Sequence, residues 1–170
     1  MAASPADTLK SSFPPVADAG TRLLVLGSLP GEVSLRRAQY YAHPQNQFWR
    51  LMGEVIGADL AGSAYPARLA MLLGAGVGLW DVVRSARRAG SLDASIRDHA
   101  PNALAAFAAT LPALRAVAFN GAKASEIGRR ALGAGSHWTL IDLPSSSPAH
   151  TVGLERKRSE WLKLTPYLRA

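Results

Sequence analysis

The residues best suited to chemistry lie in the stretch from Gly27 to Trp49, which reads GSLPGEVSLRRAQYYAHPQNQFW. It contains the adjacent tyrosines Tyr40 and Tyr41, and the polar residues His43 and Asn46 follow within a few positions. An aromatic ring can stack on a planar ligand, and a carboxamide can both donate and accept hydrogen bonds. The stretch therefore predicts one wall of a site for a planar polar ligand, although His43 could equally be an ordinary polar residue of a His-Pro turn.

Residues that shape the backbone lie at both ends of this stretch. Gly27 and Gly31 permit tight turns and the close approach of a ligand, and Pro30 fixes one bend. No GKS or GKT follows, so the segment is not a Walker loop, and it is not a dinucleotide fingerprint either. A plain strand-to-loop turn is the alternative. At the far end, Asn46 precedes an amphipathic helix pattern that begins at Phe48, which makes Asn46 a natural N-cap.

A second distinctive stretch, LPSSSPAHTVG, runs from Leu143 to Gly153. Its short hydroxyl side chains and free backbone N–H groups suit phosphate oxygens. Its prolines stiffen the loop, so that a small wedge could enter a duplex at little ordering cost. An ordinary Ser-Pro turn is the alternative.

Two further polar residues, Asp81 and Asn120, directly follow apolar runs. Asn120 could read the edge of a base, or it could only form a turn with Gly121. Asp81 could face a pocket or cap a helix. The basic residues of GRR and ERKR are expected on solvated helix faces, although Arg156–Arg158 could lie near a phosphate backbone.

Four short apolar runs predict the strands that position these residues, at Arg22–Leu26, Val77–Trp80, Arg115–Phe119 and Trp138–Leu143. Helical patterns are expected from Phe48 to Ile56, around Leu69, Leu72 and Leu73, from Pro101 in a first turn through Phe107, over Ala122–Leu132 and over Leu154–Leu168. Alternating strands and helices predict an α/β fold with a parallel sheet covered on both faces. Ligands bind such sheets beyond the carboxyl ends of the strands, where the distinctive polar segments all fall.

Composition narrows the class of protein. The chain has 170 residues, 48% of them hydrophobic, which suits one domain, expected at 13–170 after a loose tail at 1–12. No cysteine is present, so disulfides and thiolate metal sites are excluded, and the four histidines lack the paired acidic spacing of a zinc site. The net charge of +7 favours a polyanionic partner, with an arginine-rich composition from a GC-rich genome as the alternative.

No apolar run approaches the roughly 18 residues of a membrane span, and the first dozen residues lack the apolar centre of a signal peptide. We therefore expect no contact with a membrane. The lack of cysteine fits a reducing cytoplasm, so a cytoplasmic location is the expectation.

Together these segments resemble the uracil-DNA glycosylase superfamily, and most of all its hypoxanthine-DNA glycosylase branch, or family six. That branch carries patterns like GSMPG-x-x-SL, YYAHP-x-N-x-FW and LPSTSPA, which match Gly27–Leu35, Tyr40–Trp49 and Leu143–Ala149. The segments FPPVAD, LWDVV and FNGAKA fit as well, so the resemblance covers nearly all of the chain from Phe13 onward. It implies a three-layer α/β/α fold around a central four-stranded parallel sheet, and DNA containing deaminated bases as the partner. It also implies a monomer that associates with the bacterial nucleoid.

The resemblance also implies roles for particular residues. In the mismatch-specific relatives the aromatic residue before Ala-His-Pro stacks on the extruded base, and that role falls on Tyr41. Their water-positioning asparagine corresponds to Leu29, which cannot hold water, whereas the hypoxanthine branch implicates the asparagine of P-x-N-x-FW, here Asn46. A carboxamide is too weak a base to take a proton, but its oxygen could orient a water toward an oxocarbenium-like transition state.

A second catalytic group of the classical uracil enzymes, the histidine of HPSPLS, is replaced by Ser145. His150 is a candidate substitute, with loop structure or phosphate contact as its alternative role. The implied base-binding residues are Gly27, Ser28, Leu29, Pro30, Tyr41, His43, Phe48, Asp81 and Asn120. The implied DNA-binding loop is Ser145, Ser146, Ser147, Pro148, Ala149 and His150.

The leading hypothesis is a monofunctional DNA glycosylase of base excision repair that hydrolyses the N-glycosidic bond of flipped uracil or hypoxanthine. It implies no metal and no organic cofactor, and no lysine is placed as a Schiff-base nucleophile. One alternative is a protein that binds damaged bases without cutting, which the absence of catalytic groups at Leu29 and Ser145 favours. Another is an enzyme of free nucleosides, which would need neither the serine loop nor the basic surface. The sequence does not separate uracil, hypoxanthine and xanthine.

Overall fold

A four-stranded parallel sheet forms the middle layer of the computed structural model, which describes residues 9–133 and 136–168. From one edge to the other its strands are β3 (Val77–Asp81), β2 (Leu23–Gly27), β6 (Ala116–Asn120) and β7 (Thr139–Leu143). Every neighbouring pair is parallel. The four predicted strands are confirmed to within one residue at either end, and Asp81 and Asn120 are the last residues of their strands.

Helices cover both faces of this sheet. Those of the described residues are α1 (Glu32–Arg37), α2 (Phe48–Ile56), α3 (Tyr65–Gly74), α4 (Leu104–Ala109), α5 (Ala122–Leu132) and α6 (Leu154–Trp161). The helix expected over Leu154–Leu168 is α-helical only to Trp161 and continues as a 3₁₀ turn over Leu162–Tyr167, which contains Pro166. Proline lacks the N–H that an α-helical continuation would need at that position.

The alternation of side chains along β2 divides the core into two clusters. Leu23 and Val25 pack with α2, α3 and α6 on one face of the sheet, whereas Leu24 and Leu26 pack with α4 and α5 on the other. Successive residues of a strand point to opposite faces, so a strand covered on both sides must be apolar throughout. All five residues of β2 are buried, which confirms the predicted three-layer α/β/α fold.

A second, antiparallel sheet of three strands was not predicted. It consists of β1 (Leu9–Ser11), β4 (Val83–Arg87) and β5 (Arg97–Pro101), in the order β1-β4-β5. The prediction of a loose tail is therefore wrong for Leu9–Ser11, because these residues pair with β4; residues 1–8 lie outside the described part of the chain. Pro101 does not begin a helix either: it ends β5, and α4 starts at Leu104.

Candidate active site

A cavity of about 610 Å³ opens at the carboxyl edge of the parallel sheet. It is lined by every residue that the sequence singled out for catalysis, base binding or the DNA-binding loop, with the exception of Phe48. Further lining comes from α1 and from Ser91–Ala94, a segment between β4 and β5. Sites for small planar ligands have this order of volume, which is large enough for a pyrimidine or a purine.

Phe48 was predicted to contact the base, but it is completely buried. Its ring stacks on Tyr41 with 3.9 Å between ring centroids and 16° between planes. Tyr41 is itself partly exposed and lines the cavity, so Phe48 supports the tyrosine ring from behind. The stacking role predicted for Tyr41 remains compatible with this arrangement.

The backbone of Tyr41 lies in the left-handed region, at φ 51°. For a residue other than glycine this conformation costs on the order of 1 kcal/mol or more, and it persists only where neighbouring contacts impose it. Two side chains supply such contacts: Trp49 Nε1 donates to the Tyr41 carbonyl at 3.1 Å, and Ser34 Oγ accepts from the Ala42 N–H at 3.0 Å. The chain thus maintains a strained conformation that orients the Tyr41 ring into the cavity.

Two polar groups without partners lie next to Gly27 in the cavity. A Cβ placed on Gly27 would lie 2.6 Å from Asp81 Oδ1 and 2.8 Å from the Tyr41 hydroxyl, so only glycine allows both groups to approach the end of β2. The Tyr41 hydroxyl and Asp81 Oδ2 are both buried, and neither makes a hydrogen bond of normal geometry with a described residue, although the Asn120 side chain lies close enough to the Tyr41 hydroxyl to lower its pKa slightly against the effect of burial. Buried polar atoms are normally paired, so this pair is suited to a polar ligand.

Burial is the main electrostatic influence on Asp81, which is 3% exposed. Burial, followed by the nearby Asp93 carboxylate, raises the pKa of Asp81 to about 7, and Arg88 opposes this shift. Burial likewise raises the pKa of Tyr41 above its usual range, so its hydroxyl stays protonated. Asp81 can therefore exchange a proton near neutral pH, a property that is common among catalytic acids.

Asn46 and Asn120 are connected through Ser146. Ser146 Oγ lies 2.8 Å from Asn46 Oδ1 and 2.9 Å from Asn120 Nδ2, and the Ser146 N–H donates to Asn120 Oδ1 at 2.9 Å. Asn46 Oδ1 also accepts from the Phe48 N–H at 2.9 Å. The N-cap residue of α2 is Gln47 rather than the predicted Asn46, although Asn46 makes the capping hydrogen bond.

These bonds correct one expectation about Asn46. Its carboxamide oxygen was expected to orient a water, but that oxygen already accepts two hydrogen bonds, which occupy both lone pairs. The Asn46 Nδ2 group bonds to no described residue, so it is the part of the side chain that is available to a ligand in the cavity. Asn46 therefore presents hydrogen-bond donors to the cavity.

The serine loop is held from behind by α6. Lys157 was expected on a solvated helix face, with a position near a phosphate backbone as the alternative. Instead it is buried and donates from Nζ to Gln47 Oε1 at 2.9 Å and to the Ser147 carbonyl at 3.2 Å. Ser146 is also fully buried, so its hydroxyl is unavailable to phosphate. Pro148, Ala149 and His150 are exposed at the tip, where contact with DNA stays a prediction.

Arg88 is a site residue that the sequence analysis missed. It is 1% exposed, and its guanidinium donates to the carbonyls of Leu29, Pro30 and Gly90. Nearby, Ser28 Oγ donates to Asp93 Oδ1 at 2.5 Å. The segment after β4 therefore holds the GSLPG loop in place through side-chain contacts. These contacts join residues that are far apart in the sequence, so no local sequence pattern predicts them.

Replacing Arg88 by methionine is expected to lower the free energy of unfolding by about 2–4 kcal/mol, because three carbonyl oxygens lose a charged donor. Arg84 lies on the exposed face of β4 and provides the control, since R84M should stay within about 0.5 kcal/mol of the parent. Urea unfolding followed by circular dichroism measures both changes. Equal stability of R88M and R84M would contradict this account of the loop.

Within residues 9–133 and 136–168, no group of three or more His, Asp or Glu side chains is arranged to hold a metal ion. Over the same residues, no helix has the length and apolar character needed to cross a membrane.

The chain belongs to the uracil DNA glycosylase superfamily, whose family model matches residues 14–169. Among curated proteins it is similar to the hypoxanthine DNA glycosylase of Methanosarcina barkeri, with 44% identity over 89% of this chain and 95% of the relative. It is also similar to the hypoxanthine DNA glycosylase of Methanosarcina acetivorans, with 41% identity over 90% of this chain and 96% of the relative. The solution NMR structure of a candidate uracil DNA glycosylase from M. acetivorans superposes with a TM-score of 0.82, at 40% identity and over 93% of this chain and 97% of the other.

Proposed function

We propose that this chain is a monofunctional DNA glycosylase that releases deaminated bases from DNA by hydrolysis, with hypoxanthine as its main substrate. The observation that carries the proposal is the convergence of Tyr41, Asn46, Asp81 and Asn120 on one cavity at the carboxyl edge of the sheet. The names and high identity of the curated relatives support hypoxanthine over uracil. We expect it to act as a monomer in base excision repair of nucleoid DNA.

In the proposed reaction the damaged nucleotide leaves the stack and its base enters the cavity, where Tyr41 contacts one ring face. Hypoxanthine presents a lactam edge with one donor and one acceptor, and it also carries the acceptor N7. The protonated Asp81 carboxyl can donate to an acceptor on the departing base and transfer its proton there as the glycosidic bond breaks, and the Tyr41 hydroxyl can form a second hydrogen bond. The attacking water gives its oxygen to the anomeric carbon and releases its proton to solvent, from which Asp81 regains one after the base has left. Because the leaving base gains negative charge, a neutral donor stabilises it better than a carboxylate would.

The nucleophile is water, and Asn46 positions it. An N–H of Asn46 Nδ2 donates to one lone pair of the water oxygen and leaves the other lone pair for the anomeric carbon. Little basicity is needed, since the glycosidic bond is largely broken in the transition state. This role uses the Nδ2 group, since the contacts with Phe48 and Ser146 involve only Oδ1 of the carboxamide.

The direct test is incubation of the purified chain with duplexes that each contain one hypoxanthine, uracil or xanthine, and with an undamaged duplex as control. Alkali then cleaves the strand at any abasic site. We expect a cleaved strand from hypoxanthine DNA after alkali treatment and none without alkali. Retarded damaged duplex without abasic product from any base would instead support a non-catalytic binding protein. Activity on free inosine that does not vary with salt would support a nucleoside enzyme, because DNA binding weakens with salt.

A further inference from the structure

We propose that Ser146 is a positioning residue that fixes the orientation of both carboxamides in the cavity, Asn46 and Asn120. The effect of Ser146 on the reaction rests on the proposed function, whereas the hydrogen bonds of Ser146 are independent of that function. Ser146 is completely buried and lies between the end of β6 and the start of α2. All of its hydrogen-bonding groups are used, since its carbonyl also accepts from the Gln47 N–H at 3.0 Å.

The direction of each hydrogen bond follows from two backbone donors. The Phe48 N–H can only donate, so the Asn46 atom at 2.9 Å must be the carboxamide oxygen. The Ser146 N–H can only donate as well, so the Asn120 atom at 2.9 Å is also an oxygen. Neither carboxamide can be rotated by 180° without placing two donors against each other.

The hydroxyl of Ser146 completes the chain of hydrogen bonds. Because Asn120 presents its oxygen to the Ser146 N–H, its Nδ2 donates to Ser146 Oγ at 2.9 Å. The hydroxyl has one proton, and that proton must therefore go to Asn46 Oδ1 at 2.8 Å. Between the side chains, donation thus runs from Asn120 through the Ser146 hydroxyl to Asn46, while the Ser146 backbone N–H donates to Asn120.

The consequence concerns the groups that remain for a ligand. Asn46 keeps both N–H donors for the cavity, and Asn120 keeps one N–H donor and one acceptor lone pair. Without the hydroxyl, Asn46 Oδ1 would lose one of its two donors and its side chain could rotate within the cavity. The water that Asn46 holds would then lose its alignment with the anomeric carbon, and small misplacements of this kind cost about 100-fold in rate.

A matched pair of variants isolates the hydroxyl. Threonine and valine have nearly the same shape, so S146T and S146V differ chiefly in the presence of the hydroxyl, and the family pattern LPSTSPA has threonine at this position. Under single-turnover conditions with hypoxanthine DNA, we expect S146V to be about 10- to 100-fold slower than S146T. The dissociation constant for the damaged duplex should differ by less than about threefold between them, because the Ser146 side chain is completely buried and its hydroxyl bonds only to other protein groups.

A double-mutant cycle separates positioning from general support of the fold. If Ser146 acts through Asn46, the S146V change should cost little further rate in an N46A background, whereas an independent structural role would give additive losses. Should neither S146T nor S146V fold, as judged by thermal unfolding, S146A and the wild type replace them in the same cycle. Equal rates of S146T and S146V, or additive losses in the cycle, would overturn the inference.

A second measurement does not depend on activity. In ¹⁵N-labelled protein the side-chain NH₂ signals of Asn46 and Asn120 should shift in S146V relative to S146T, and unchanged signals would also overturn the inference. Failure of the proposed function would give a different result. The wild type would then release no base from any duplex, while the side-chain NH₂ signals of Asn46 and Asn120 would still differ between S146V and S146T.

Discussion

Replacing Asn46 by alanine is expected to lower the single-turnover rate of hypoxanthine release by about 100- to 1,000-fold, which is the usual effect of removing one preorganised donor from an active site. The proposed water loses the N–H group that holds it, and Ser146 loses the acceptor for its proton. The loss of the hydrogen bond to the Phe48 N–H should cost about 1 kcal/mol of stability, which leaves the protein folded. Thermal unfolding and duplex binding measured on the same preparation check that only the chemical step has changed.

The isosteric variant N46D tests whether Asn46 acts as a donor. Aspartate can still accept from Phe48 and Ser146 with one oxygen, but its second oxygen offers the cavity an acceptor in place of two N–H donors. We therefore expect N46D to be nearly as slow as N46A. A fast N46D would mean that an acceptor serves the water, and it would contradict the role given to Nδ2.

The rate of base release is expected to fall as the pH rises through about 7, the pKa to which burial and Asp93 raise Asp81. Only the protonated carboxyl can donate to the departing base, so the rate should decline about tenfold for each pH unit well above 7. The amide of D81N keeps a donor but has no acidic proton. We expect D81N to be about 100-fold slower than the wild type at pH 6 and nearly independent of pH from 6 to 9.

The stability of the protein provides a control for Asp81 that needs no substrate. Its pKa is higher in the folded chain than in the unfolded one, so the folded state binds the proton more tightly and ionisation destabilises it. The stability contribution of Asp81 should thus be lost as the pH rises from about 4 to 7, and D81N should become progressively more stable than the wild type over that window. A wild-type rate that rises through pH 7, or a stability difference that does not vary with pH, would contradict the assignment of Asp81.

The sheet and the main site residues could be predicted from sequence for a simple physical reason. A strand that is buried on both faces must be an apolar run, and the polar residue that ends it marks the carboxyl edge. The sequence pattern therefore located Asp81 and Asn120 without any long-range information. The resemblance to the glycosylase superfamily added the functional interpretation of Tyr41 and Asn46.

The supporting contacts could not be predicted in this way. Arg88 and Lys157 look like ordinary surface charges in the sequence, and their burial depends on oxygen atoms far away along the chain, the Pro30 carbonyl for Arg88 and Gln47 Oε1 for Lys157. Pro101 follows a pattern typical of a helix start, but pairing with β4 places it at the end of a strand. Ser146 stands between two chemically identical neighbours, and only the fold distinguishes the buried hydroxyl from the partly exposed ones.

The first described strand, β1, lies ahead of the residues that match the family model, yet it belongs to the support of the cavity. Lys10 Nζ donates at 2.8 Å to the same Gly90 carbonyl that Arg88 binds, and β1 covers the free edge of β4. A protein shortened to the family boundary at Pro14 would expose that edge, and uncovered strand edges are templates for association between chains. We therefore expect a protein that begins at Pro14 to self-associate more readily than the full chain.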